Sequence, residues 1–150
     1  MPAKKTTSKS NVWTDEERAA MQEAVRDKKR SSGRDPEAQR AEGEREVLAK
    51  IAELPEPDRG MAQKIHAIVS SVAPSLVPRT FYGMPAYARD GKVVCFFKPA
   101  SKFKERYATF GFEAGARLDQ GTMWPTSWAM TGLTAADGKA LAELVKRSLG

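Results

Sequence analysis

The sequence predicts an α/β chain of the α+β kind: a two-layer sandwich in which an antiparallel sheet carries helices on one face, preceded by an N-terminal helical extension. Three observations predict it. Apolar residues in the first half recur at helical spacing inside segments closed by prolines. After Pro78 the pattern changes to short apolar runs and alternation around an Asp90-Gly91 turn signal, densest over Phe81 to Lys98. A last helical segment follows Thr134. The 150 residues suit one packed domain plus an extension of a few tens of residues. We divide them into a disordered tail (1–13), a helical extension and linker (14–46) and a folded domain (47–150).

The elements follow in order. Thr14-Asp15-Glu16-Glu17 fits a capping box, in which hydroxyl and carboxylate each satisfy an orphan backbone N–H, and predicts a helix through Lys28. Its apolar content is thin: Ala19, Ala20, Met21, Ala24 and Val25. The run from Lys28 to Arg34 reads as a basic, flexible break. Asp35 and Pro36 provide an N-cap and a first helical residue. Gly43 weakens that helix, and Val47, Leu48, Ile51 and Leu54 give it a core-facing stripe before Pro55 and Pro57 end it. From Asp58 to Val72, Met61, Ile65, Ile68, Val69 and Val72 share one face. Pro74 and Pro78 then impose an extended entry into a hairpin. Val93 to Phe97 is apolar throughout, which predicts a central strand covered on both faces. Tyr107 to Phe112 alternates, with Ala108, Phe110 and Phe112 together. Met123 to Met130 also alternates, with Trp124, Thr126, Trp128 and Met130 on one side. Pro125 cannot donate to a ladder, so this is an edge strand or is bulged. Leu141, Leu144, Val145 and Leu149 form one face of the last helix.

Composition narrows the function. One cysteine, Cys95, excludes an internal disulfide and a thiolate-cluster zinc site and suits a reducing compartment. No apolar run approaches the roughly 18 residues of a membrane helix, and the N-terminus lacks the apolar core of a secretory signal; the expectation is a soluble, cytoplasmic protein without a membrane partner. The net charge is +6, with 11 Lys/Arg against 10 Asp/Glu in residues 1–46 and 14 against 9 in residues 47–150. The excess lies in the domain. Lys98, Lys102, Lys104 and Arg106 surround Glu105, reading as a solvated strand end or as an anion-binding site. His66 falls at the edge of its helix's apolar face, where a half-exposed histidine is expected, and no second histidine stands ready to share a metal. Cys95, inside an apolar strand, reads as a buried, inert thiol.

The aromatics pose a packing question. Tyr82, Tyr87, Phe96, Trp124 and Trp128 exceed what two or three helices can cover on one sheet face. The candidate covers for the rest are the helix of residues 14–30, a partner subunit of a homo-oligomer, or a small ligand in an aromatic groove. Tyr82, Met84, Pro85, Tyr87, Trp124 and Trp128 are the ligand-binding candidates.

Several of these stretches carry a resemblance. The helix pair punctuated at Leu54-Pro55 and Ala73-Pro74, the run Tyr82-Gly83-Met84-Pro85-Ala86-Tyr87, Gly91-Lys92-Val93 and Phe96-Phe97-Lys98 resemble the YdhG-like domain of unknown function, within a frataxin-like superfamily (YjbR/CyaY-like) of two-layer folds. Tyr107-Ala108-Thr109, Leu118-Asp119, Trp124 to Ser127 and the helix around Glu16 to Met21 look like one subgroup of it, so the likeness spans nearly the whole chain. It implies a frataxin-like fold and, for some members, an iron-chaperone-like role. This chain departs from that role: Glu42, Glu44, Glu46 and Glu53 are interleaved with Arg40, Arg45 and Lys50, whereas hard iron needs converging oxygen ligands. The expectation is a non-catalytic binding protein with no catalytic residues, no cofactor and an unassigned small-molecule or protein partner. The alternative is a nucleic-acid-associated protein, in which Phe97, Phe103 and Tyr107 among the lysines would stack bases. No nucleotide-binding glycine loop or serine nucleophile elbow is present.

Overall fold

The computed structural model describes residues 13–31 and 35–150, the side chains of 27–31 excepted. The tail expected at 1–13 therefore lies, up to Val12, outside the described residues, as does the end of the basic break at 32–34. The elements are α1 (Asp15–Ser31), α2 (Pro36–Ala52), α3 (Asp58–Val72), β1 (Val77–Phe81), β2 (Met84–Arg89), β3 (Lys92–Lys98), α4 (Ala100–Phe103), β4 (Ala108–Phe112), β5 (Ser127–Met130) and α5 (Ala135–Ser148). The strands form one antiparallel sheet in the order β1-β2-β3-β4-β5, and α2, α3 and α5 cover one of its faces. The α+β class is as the sequence predicts.

Local signals act where expected. Thr14 and Glu17 exchange backbone N–H bonds at 3.0 and 3.1 Å. Asp35 accepts from the N–H groups of Glu37 and Ala38, and Thr134 forms a second capping box with Asp137. The Asp90-Gly91 turn has φ of 53° and 79°, the mirror-image turn that suits a two-residue hairpin. β3 is central, but Phe96 on it is only partly buried.

Other expectations are corrected. A second tight turn, Tyr82-Gly83, with φ of 54° and 77°, joins β2 to β1, so the stretch entering the hairpin is itself a strand. Pro78 is tolerated there because β1 is an edge. The strand expected at 123–130 is confined to Ser127–Met130, because Pro125 keeps its N-terminal part off the ladder. α1 continues three residues past Lys28. Leu48 is 46% exposed; the buried stripe of α2 is Gly43, Val47 and Ile51.

The domain boundary drawn at 46/47 falls inside α2, whose first half belongs to the packed unit. Arg40 donates to the carbonyls of Leu76 and Ser75. Gly43 lies so close to β1 that a Cβ there would stand 2.0 Å from the Pro78 carbonyl oxygen. A glycine that weakens an isolated helix is thus the point at which this helix reaches the sheet.

The strand register sorts the aromatics. Tyr87, Cys95, Phe97, Phe110, Phe112 and Trp128 lie on the helix-covered face through the pairs Tyr87–Cys95, Cys95–Phe112, Phe97–Phe110 and Phe110–Trp128. Phe81 and Phe96 lie on the other face, their ring centroids 5.8 Å apart. Phe96 spreads over Gly111, where a Cβ would meet its ring at 2.5 Å, so that face is covered in part by its own rings. α1 packs at the end of the sheet, against β1 and α4.

Two substitutions check this packing. Gly43→Ala should lower unfolding free energy by about 2 kcal/mol in denaturant titration, because overlap with backbone outweighs the roughly 1 kcal/mol by which alanine favours a helix. Thr80 has a buried hydroxyl without a partner, so Thr80→Val should leave stability unchanged or raise it by about 1 kcal/mol.

Candidate functional site

Besides a space of about 350 Å³ lined by Arg79, Phe81, Lys92 and Glu113, three places among the described residues concentrate chemistry or open space. The first is a buried hydrogen-bonded chain. His66 is only 9% exposed, not half-exposed as its wheel position predicts. Its Nδ1 lies 2.9 Å from the Tyr87 hydroxyl and its Nε2 2.9 Å from Glu44 Oε2. A carboxylate only accepts, so Nε2–H faces Glu44, and in the neutral ring Nδ1 accepts from Tyr87. The chain joins α2, α3 and β2. Burial, with Cys95 and Glu44 adding smaller contributions, holds the Tyr87 phenol well above its usual range, and burial pushes the Cys95 thiol up to about 12. Both remain protonated at neutral pH, which makes the chain a structural clamp and Cys95 a buried thiol rather than a thiolate.

The second is a groove of about 400 Å³ between β5 and α5. Phe110, Trp128 and Met130 supply its sheet wall and Ala140, Leu141 and Leu144 its helix wall, with Leu133 in the connecting turn. Asp137, Ala140, Leu141 and Leu144 follow the spacing that puts residues on one helix face. Trp128 is held edge-on by Phe112, centroids 5.8 Å apart at 84°. The groove arises because β5 is a short edge strand whose outer end α5 overhangs without filling.

The third is the basic cluster. Lys98 pairs with Glu105 at 3.2 Å. Lys102 and Lys50 both reach Glu23, at 2.8 and 2.7 Å, and Lys104 reaches Glu16 at 2.8 Å. Lys98 and Lys102 also flank the Phe103 ring at 5.0 and 5.9 Å, and Arg106 lies 5.1 Å over Tyr107. Two of the four predicted cations are thus engaged by carboxylates of α1, a link between residues 79 and 88 positions apart.

The ligand-binding candidates do not converge. Tyr82 is 38% exposed in the β1–β2 turn, while Met84 and Tyr87 are buried, as is Pro85. Trp128 stands on β5, three strand spacings or about 14 Å from β2, and Trp124 packs on the core from the preceding loop. Of the six, Trp128 alone lines the β5–α5 groove. Its other walls are not legible in the sequence as a site because most residues there are ordinary core types; on the helix wall the spacing marks Leu141 and Leu144 as inward-facing. Among the described residues no group of three or more His, Cys, Asp or Glu is placed to hold a metal ion, and no helix is long and apolar enough to cross a membrane. No protein-family model, curated protein or solved structure matches the chain.

The α1 contact has a pH signature. Burial pushes the Glu23 carboxyl up, but hydrogen bonds from Lys102 and Lys50 outweigh it and leave the group below its usual range. A carboxyl depressed in the docked state stabilises docking fully above its free pKa of about 4.3. That contribution is lost as pH falls through the docked value. NMR order parameters of residues 15–26 should therefore drop between pH 7 and pH 3 while those of α3 hold; equal values at both would contradict this contact.

Proposed function

We propose that the protein is a non-catalytic binding protein whose ligand is a small apolar or aromatic molecule held between β5 and α5. The observation that carries this reading is the groove itself. Its volume of about 400 Å³ falls within the roughly 300–1,000 Å³ of small-molecule sites. Most of its lining is aromatic and aliphatic, and Thr131, Thr134 and Asp137 add polar groups. Apolar burial supplies the affinity of such a site, and the few polar groups orient the ligand.

The YdhG-like resemblance supports a binding role and names no ligand. An iron-chaperone-like role has less support: Glu44 is bonded to His66, and Arg40, Arg45 and Lys50 are interleaved with the carboxylates of α2. Trp128, in the wall, provides a direct optical report of occupancy.

The test uses anilinonaphthalene sulfonate as an aromatic probe with the full-length chain. Saturable one-to-one binding with quenching of Trp128 emission is expected. Ala140 is exposed on the groove wall, so Ala140→Trp should block the space and weaken the probe about tenfold or more while leaving the circular dichroism spectrum unchanged. Equal affinity in this variant, or no saturable binding to the wild type, would overturn the proposal.

A further inference from the structure

We infer that α1 is a displaceable cover over a surface for single-stranded nucleic acid, formed by Lys50, Lys102, Lys104 and Arg106 with the rings of Phe103 and Tyr107. The inference is independent of the β5–α5 groove and rests on how α1 is held. Of its described side chains only Ala20 is buried, and Val25 is 69% exposed. Apolar burial therefore fastens it weakly. What meets the domain is charge: Glu23 sits over Gly83, where a Cβ would stand 2.1 Å from its Oε1, and receives both Lys50 and Lys102. About two helical turns earlier, Glu16 receives Lys104.

Two carboxylates spaced along a helix thus occupy lysines that belong to two different elements, α2 and the segment at α4. A phosphate backbone offers the same groups, negative oxygens at regular intervals. Left-handed Lys104, with φ of 54°, ends α4 and leaves its side chain 76% exposed even when paired. That exposed pair is worth little and is screened by salt; the Glu23 pairs, whose carboxylate is 14% exposed, are the ones a polyanion has to replace, by offering Lys50 and Lys102 the same charge.

The neighbouring rings favour nucleic acid over an acidic peptide. Tyr107 is 37% exposed beside Arg106, and Phe103 is already a cation-bearing ring. An aromatic face interleaved with cations holds bases by stacking while the cations hold the backbone. Carboxylate peptides make no use of the rings.

The experiment measures anisotropy of a fluorescein-labelled oligothymidine of about 20 nucleotides with the full chain. Glu16→Gln and Glu23→Gln together should tighten binding about tenfold, since removing the competing cover raises the fraction of competent protein. Lys102→Gln and Lys104→Gln on that background should abolish the gain. The logarithm of affinity should fall with the logarithm of salt at a slope of about −2, as for three released lysines on a single strand. Unchanged affinity in the Glu variant overturns the inference, as does preference for polyglutamate over oligothymidine. A measurement on the unmodified chain guards against a variant that misfolds: amide exchange in residues 15–26 should accelerate on adding oligothymidine. Unchanged or slower exchange would contradict displacement.

Discussion

The buried hydroxyl of Tyr87 imposes the constraint on which the helix layer depends. A phenol in the middle of a sheet face has to find a partner or forfeit its desolvation energy, and His66 is that partner. Meeting it places α3 above β2, and the other ring nitrogen then draws Glu44 and with it α2. Once α2 is held there, Gly43 allows it to descend onto β1, so the outer strand is covered by backbone contact rather than by a large side chain. The helices are thus crowded toward β1 and β2. At the opposite edge α5 alone faces β5, and the space left between them is the groove.

That asymmetry separates the surfaces by chemistry. The β1–β2 side is closed by hydrogen bonds, with Tyr87 and Cys95 kept protonated in the interior. Mostly apolar side chains line the space at the β5 side, with Thr131, Thr134 and Asp137 among them. At the end of the sheet, around the Tyr82-Gly83 turn and α4, charge dominates, because Asp58 accepts from both the N–H and the hydroxyl of Ser101 and so fixes α4 with its lysines facing α1. The open sheet face needs no separate cover at its centre, since Phe96 lies over Gly111.

The parts legible in the sequence are those decided by neighbours in the chain. The Thr14–Glu17 capping box, the helix starts at Asp35 and Thr134, the Asp90-Gly91 turn and the core faces of α3 and α5 depend on residues a few positions apart. β1 is hidden because Val77-Pro78-Arg79-Thr80 lacks clean apolar alternation and carries a proline, which argues against a strand; its existence depends on pairing with β2 and on α2 above it. His66 is a case of the same kind. A helical wheel sets a polar residue at the boundary, whereas Tyr87 and Glu44, 21 and 22 residues away, bring it inside. The lysine cluster was visible by spacing, but its carboxylate partners on α1 were not. Trp128 was legible as a candidate; the groove was not, because a void follows from where helices stop, not from which residues line it.

The central claim is that the space beside Trp128 is a binding site and the other aromatics on the sheet strands are structure. Mapping backbone amide shifts of the full chain on titration with anilinonaphthalene sulfonate tests it most directly. Shifts concentrated in residues 128–134 and 137–144 are predicted. Shifts centred on Phe81, Phe96 and Gly111 across the other sheet face would contradict the claim, as would a titration that leaves every amide unmoved.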